Sequence, residues 1–181
     1  FAESYCVFSQ FLLNNHDQYQ SETELKIFDF GCGTGGELIG LLIAINECRC
    51  NIKKINIHAL DGNHHALRKL EQILLETQKH IHFEFAYEVI PFVIDDFYDL
   101  SLVESVCLNN KQYDIVLSFK AICEFVTKQQ LEEKNPYEHF LKTFVPHLSE
   151  NGIICIADIT SYSNIAQSWL PSIIDEGIKS T

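Results

Sequence analysis

Methionine is absent from the 181 residues, and tryptophan occurs once. A chain that opens on Phe1 with no methionine is expected to be an incomplete record of a longer natural protein. Basic residues are also scarce: 13 Lys and Arg stand against 25 Asp and Glu, a formal charge of −12. The deficit is spread along the chain. Residues 1–90 hold seven bases and twelve acids, and the remainder six and thirteen. No basic stripe or tail is left to hold a phosphate backbone by counterion release. Direct nucleic-acid binding is therefore disfavoured, although RNA delivered by a protein partner is not excluded.

Long apolar runs are missing as well. Leu41–Ile45 is only five residues, against the roughly 20 that a membrane helix needs. The start shows no charged–apolar–small pattern of a secretory leader. No membrane association is expected. The seven cysteines are odd in number and scattered, which fits reduced thiols in a cytoplasmic protein better than a disulfide framework. Cys48-x-Cys50 lacks a second ligand pair at zinc spacing, so no metal is expected. His64-His65 and His80-x-His82 read as helix surface and strand edge.

What is present alternates between strand and helix. Tyr5, Phe8, Phe11 and Leu12 predict a helix within 2–19. Leu25–Phe30 reads as a buried strand that runs into Gly31-Cys32-Gly33-Thr34-Gly35-Gly36 and then a helix, 37–47. Ile52–Leu60 is a second strand. Asn63 is a candidate cap for a helix that carries Leu67, Leu70, Ile73 and Leu74 on one face. Further strands are predicted at 81–89, 113–119 and 153–158. Helices are predicted at 100–108, 136–148 and 164–178. Strands separated by helices imply parallel pairing, and near-continuous apolar strands imply a sheet covered on both faces. The expected fold is α/β, a doubly wound, mostly parallel sheet. A single domain, 1–181, is expected: a helix at 2–19, a ligand-binding half at 25–98 and a second half at 99–181. The site should lie at the carboxyl ends of the strands.

Four of the eight glycines fall between 31 and 36. Glycine allows positive φ and close approach of backbone to a ligand, and the strand–loop–helix context makes the motif credible. Gly31-x-Gly33-x-x-Gly36 fits a dinucleotide fingerprint, and Gly31-x-Gly33-x-Gly35 fits a second family equally well. The acids separate them. Asp29, two residues before the first glycine, suits a cationic ammonium or sulfonium and would repel a pyrophosphate.

Phe28-Asp29-Phe30-Gly31-Cys32-Gly33-Thr34-Gly35 resembles the first motif of the class I S-adenosylmethionine-dependent methyltransferases, whose fold is Rossmann-like. Ala59-Leu60-Asp61-Gly62 resembles the second, in which an acid takes both ribose hydroxyls. Tyr113–Ser118 and Leu148–Ile154 resemble the family's fourth strand and the turn into its fifth. The resemblance implies that S-adenosylmethionine is the cofactor. It places Asp29, Gly31, Gly33 and Gly35 at the amino-acid end and Asp61 and Gly62 at the ribose. Asp96 and Phe97 are then the nearest candidates for the adenine contacts expected after the third strand.

Methyl transfer is an in-line displacement from a sulfonium, and positioning supplies most of the acceleration. Residues after the fourth strand border the transferred methyl in this family. Here these are 119–125, with Lys120 and Glu124 as the candidate catalytic pair, four apart and able to meet on one helical turn. Many small-molecule members carry Glu-His at this place, whereas here Phe125 follows Glu124. Cys123 lacks a preceding proline and reads as packing. Asp158, Thr160 and Tyr162 are candidates for the acceptor side.

The expected function is methyl transfer to an unidentified acceptor, a small molecule or protein before naked nucleic acid. The alternatives are an NAD(P)-dependent oxidoreductase of related fold and a non-catalytic scaffold subunit for a protein partner. The family's usual final strand pair is expected to be lacking or missing, since nothing after Asp158 reads as one. Strand 153–157 would then be an open edge.

Overall fold

The structure, a computed structural model, describes every residue except Arg49, 128–129, 131–132, 159–161 and 164–167; the side chains of Gln18, 162–163 and 168–171 also lie outside it. The chain forms two compact units, Phe1–Val93 and Ile94–Thr181.

The first unit runs α1 (Ala2–Asn14), α2 (His16–Ser21), β1 (Glu24–Phe30), α3 (Gly36–Cys48), β2 (Lys54–Asp61), α4 (His64–Thr77) and β3 (Glu84–Pro91). The single helix predicted over 2–19 is broken at Asn15. There both the backbone N–H and the side-chain amide donate to the Phe11 carbonyl, at 3.1 and 2.8 Å. An Asn that bonds the preceding turn ends a helix instead of continuing it.

The three strands lie in the order β3-β2-β1, all parallel, with Asp29 opposite Ala59 and Asp61 opposite Pro91. Pro91, predicted to interrupt the third strand, is its last residue. Ile27, Phe28, Asp29 and Phe30 are all fully buried. Four consecutive buried residues, pointing alternately up and down, require cover on both faces. α1 packs on α3 at Gly40, where an added Cβ would lie 2.1 Å from Ser4 Oγ and 2.7 Å from the Tyr5 nitrogen.

The second unit contains α5 (Ser101–Val103), a π turn (Glu104–Leu108), β4 (Tyr113–Phe119), α6 (Ile122–Phe125) and α7 (Pro136–Phe144). A 3₁₀ turn (Val145–His147), β5 (Leu148–Ala157), β6 (Tyr162–Ser163), β7 (Ser168–Trp169) and α8 (Leu170–Lys179) complete it. β4 and β5 are parallel.

The turn predicted at Glu150–Gly152 is inside β5. The register steps from Tyr113–Leu148 to Ile115–Ile153, so the extra residues form a bulge. Gly152 is required there, since a Cβ would meet the Tyr113 carbonyl at 2.7 Å, and Ser149 Oγ donates to Asp114 across it at 2.6 Å. Bulges absorb such insertions without ending the strand.

The helix predicted from 164 begins at Leu170, and residues 164–167 lie outside the described ones. Pro171 sits in its first turn, where its missing N–H costs nothing. Among the described residues the family's final strand pair is lacking from the sheet, as expected; after Asp158 the two-residue strands β6 and β7 pair antiparallel only with each other, as a separate ribbon. Among the described residues no strand pairs with the other edge of β5. None of the described helices is long and apolar enough to cross a membrane.

Candidate cofactor cradle and acceptor-side residues

In the first unit the glycine loop is hung on the end of β2. The Gly31 and Cys32 N–H groups both donate to the Leu60 carbonyl, at 2.8 and 3.0 Å, and Gly35 N–H closes the turn on Cys32 O at 2.7 Å. Gly31, Gly33 and Gly35 have φ of +71°, +49° and +75°, the left-handed region that L side chains resist. Their roles differ. A Cβ on Gly33 would meet nothing within 4 Å, so this backbone borders open space. A Cβ on Gly35 would lie 2.3 Å from Leu70 Cδ1, so Gly35 lets the loop sit down on α4.

Asp61 organises the same end. Its Oδ2 accepts Gly33 N–H at 2.8 Å, and its Oδ1 accepts Asn63 N–H at 2.7 Å. Each carboxylate oxygen retains a further lone pair, so the geometry leaves capacity for a cis-diol. Asn63 caps α4 as predicted, accepting from His65 and Ala66 N–H at 3.0 and 3.2 Å. Gly62 is half-buried, and the space beside it is closed by the Phe92 carbonyl and by Val93. Val93 is 63% exposed. Sequence reasoning missed this apolar residue because it placed the post-β3 contacts further on, at 95–97.

Asp29 differs from its expectation of facing a ligand directly. It is fully buried, and neither carboxylate oxygen has a hydrogen-bond partner among the described residues. Burial, reinforced by the Glu37 and Asp61 carboxylates, holds its carboxyl well above the usual range. The same burial and the same three acids push the Cys32 thiol far up, which makes it inert. A buried carboxyl without a partner stays neutral until a positive charge arrives. The loop is thus flanked by three acids, a setting that fits a cationic head and opposes a pyrophosphate.

The remaining predicted residues lie in the second unit. Asp96 Oδ1 accepts Tyr98 N–H at 2.9 Å and the Gln130 side-chain amide at 3.2 Å. Phe97 is 1% exposed. Its ring stacks on Phe125, centroids 6.0 Å apart, and meets Tyr98 and His139 edge-on. These contacts describe a core aromatic with no face turned to solvent. Phe125, which stands where a histidine was sought, is its stacking partner.

Lys120 and Glu124 are both exposed after β4. The helical turn expected to pair them is not formed: Lys120 has φ +57°, its N–H donates to Ala157 O, and α6 starts only at Ile122. A left-handed lysine costs on the order of 1 kcal/mol. Asp158 ties this end together, its Oδ2 accepting Cys123 N–H and the Tyr137 hydroxyl, each at 3.0 Å. Burial, and then Asp158, push the Tyr137 hydroxyl's pKa far up. Thr160 lies outside the described residues, as does the side chain of Tyr162. Among the described residues no cluster of three or more His, Cys, Asp or Glu is placed to hold a metal.

No protein-family model matches the sequence, and no curated protein matches it. Solved structures do match the fold. An S-adenosylmethionine-dependent methyltransferase from Clostridium acetobutylicum ATCC 824 is 19% identical, with a TM-score of 0.49; the match covers 87% of this chain and 51% of that one. The precorrin-6y C5,15-methyltransferase from Geobacter metallireducens GS-15 is 14% identical, with a TM-score of 0.50, covering 97% of this chain and 68% of that one. The [4+2]-cyclase SpnF is 10% identical, with a TM-score of 0.54, covering 95% and 56%. The chain therefore spans between about half and two thirds of the length of these structures. At such identities the likeness speaks for the fold alone, and the cyclase shows that one fold carries more than one reaction. The chain has the α/β, Rossmann-like fold of the class I S-adenosylmethionine-dependent methyltransferases, with no subfamily singled out.

Proposed function

We propose that this chain binds S-adenosylmethionine at the glycine loop and transfers its methyl group to an acceptor that is a small molecule or a protein. The observation that carries the reading is the buried, unpartnered Asp29 beneath a loop flanked by Glu37 and Asp61. In this reading the backbone of Gly31, Gly33 and Gly35 receives the amino-acid end, Asp61 takes the ribose hydroxyls, and Gly62 with Val93 borders the base. The cofactor supplies an electrophilic methyl and a leaving group that departs neutral. The chain's own work is then to bind, orient and exclude water. Lys120 and Glu124, exposed after β4, are the side chains proposed to meet the acceptor. A general base is required only if the acceptor must lose a proton.

Calorimetry with S-adenosylmethionine, its demethylated product and NAD tests the cofactor. Binding of the first two and not of NAD is expected. Asp61→Ala should weaken binding at least tenfold. Tighter binding of NAD than of S-adenosylmethionine would sink the reading. Labelled-methyl transfer to fractionated acceptor pools then tests the reaction, and a protein that binds the cofactor but labels nothing would favour a scaffold or another chemistry.

A further inference from the structure

Asp29 lies one residue before the end of β1, with no exposure at all. Among the described residues neither of its carboxylate oxygens meets a hydrogen-bond donor. The loop that follows is tied to β2 instead. Gly31 and Cys32 N–H donate to Leu60 O at 2.8 and 3.0 Å, and Gly33 N–H donates to Asp61 Oδ2 at 2.8 Å. The acid that serves the loop's backbone is therefore Asp61, and Asp29 accepts none of it. An orphaned, fully buried acid costs the free protein its desolvation and returns no bond.

The charged groups that act on Asp29 are the Glu37 carboxylate in the first turn of α3 and the Asp61 carboxylate at the end of β2. The third titratable neighbour, the Cys32 thiol, is itself pushed far up, first by burial and then by these acids. Burial, and then Glu37 and Asp61, hold the Asp29 carboxyl well above its usual range. Among the described residues no cation acts on this cluster. S-adenosylmethionine would bring one. Its ammonium and carboxylate cancel, and its sulfonium leaves a net positive charge. The demethylated product is a neutral thioether and carries no net charge. A carboxyl that ionises only beside a positive charge magnifies the difference between the two.

Resting on the reading that the glycine loop receives this cofactor, we propose that Asp29 discriminates the cofactor from its demethylated product, giving up its proton when the sulfonium is bound and regaining it when the thioether is left. On binding, the Asp29 O–H bond breaks, its electron pair stays on the carboxylate, and the proton passes to the buffer. After methyl transfer the carboxylate takes a proton back from the buffer. The cofactor is thereby held more tightly than the product, and the margin depends on pH. Binding that releases one proton strengthens as pH rises, by up to about tenfold per pH unit, until the carboxyl of the free protein itself titrates. Titrations that the two ligands share cancel in the ratio of their dissociation constants, so that ratio reports on Asp29.

The test titrates the full chain calorimetrically with S-adenosylmethionine and with its demethylated product, each in buffers of unlike ionisation heat, which counts the protons released. About one proton is expected to leave with S-adenosylmethionine and clearly fewer with the product, and the ratio of product to cofactor Kd should rise several-fold between about pH 6 and about pH 8. Asp29→Asn should bind both ligands with no proton released and a ratio that is flat with pH. In the parent chain, the infrared difference spectrum should lose a protonated-carboxyl band on adding the cofactor and keep it on adding the product, which decides the matter even if Asp29→Asn does not fold. Cofactor binding without proton release, equal release by both ligands, or the same pH dependence in Asp29→Asn overturns this proposal and leaves the cofactor reading standing. Failure of both ligands to bind overturns the two together.

Discussion

At the scale of single residues, Asp29 sets the most direct test. Its folded pKa is raised, so the native state keeps a proton that the unfolded chain gives up. Where the unfolded state binds fewer protons, stability falls as pH rises, by up to about 1.4 kcal/mol per pH unit for one group. The loss starts at the ordinary aspartate range and continues until the buried carboxyl itself titrates. Asp29→Asn removes the titration at nearly constant shape. Urea midpoints between about pH 5 and about pH 8 should show the variant gaining on the parent chain as pH rises. Parallel curves would mean that Asp29 has an unseen partner.

The glycines make a paired prediction. Gly35→Ala puts a methyl into Leu70 at a left-handed position and should cost about 1–3 kcal/mol of stability. Gly33→Ala meets open space, so only the backbone penalty of roughly 1 kcal/mol applies, while S-adenosylmethionine affinity should fall more than for any stability-matched variant. Thermal melts and calorimetry on both variants separate packing from binding. Equal affinity loss in the two would deny Gly33 its special place. Asp29, Asp61 and the glycines were all readable from the chain, because motif spacing after a buried strand determines them. The neutral, hidden state of Asp29 was not readable, because burial depends on what covers it.

At the scale of elements, the helix caps and the α1–α3 contact matter most. Asn63 satisfies two free N–H groups of α4, so Asn63→Ala should cost about 1 kcal/mol, seen as a lower denaturant midpoint with unchanged slope. Gly40→Leu should be far worse. Even its Cβ would overlap Ser4 and the Tyr5 backbone, and α1 would have to lift off α3. Restored stability in a Gly40→Leu chain lacking the α1 contacts would confirm where the strain arises; an undisturbed melt for Gly40→Leu alone would refute it. The errors at this scale share one cause. Glu150-Asn151-Gly152 has turn chemistry, and the chain uses it for a bulge because β5 must keep its pairing with β4 on both sides. Lys120 and Glu124 have helical spacing, and the backbone goes left-handed at Lys120 to meet Ala157.

At the scale of the whole molecule, charge makes the remaining prediction. With a net charge of −12, the chain should show no retention on RNA at about 0.15 M salt, and lowering salt should not produce the steep gain that counterion release gives. Tight binding to naked RNA in a gel-shift assay would overturn the preference for a small-molecule or protein acceptor.

The sequence by itself determined the alternation of strand and helix, the parallel pairing, the glycine loop and the acid that closes the second strand. Each of these depends on local periodicity or on a residue type that few positions tolerate. Only the tertiary structure decided which acid lies hidden and which is hydrogen-bonded to the loop. It also buried Phe97 against Phe125 instead of offering it to a ligand, and set Val93 beside Gly62. Those outcomes turn on which surfaces meet, and contacts between residues distant in the chain leave no mark in the spacing of either partner.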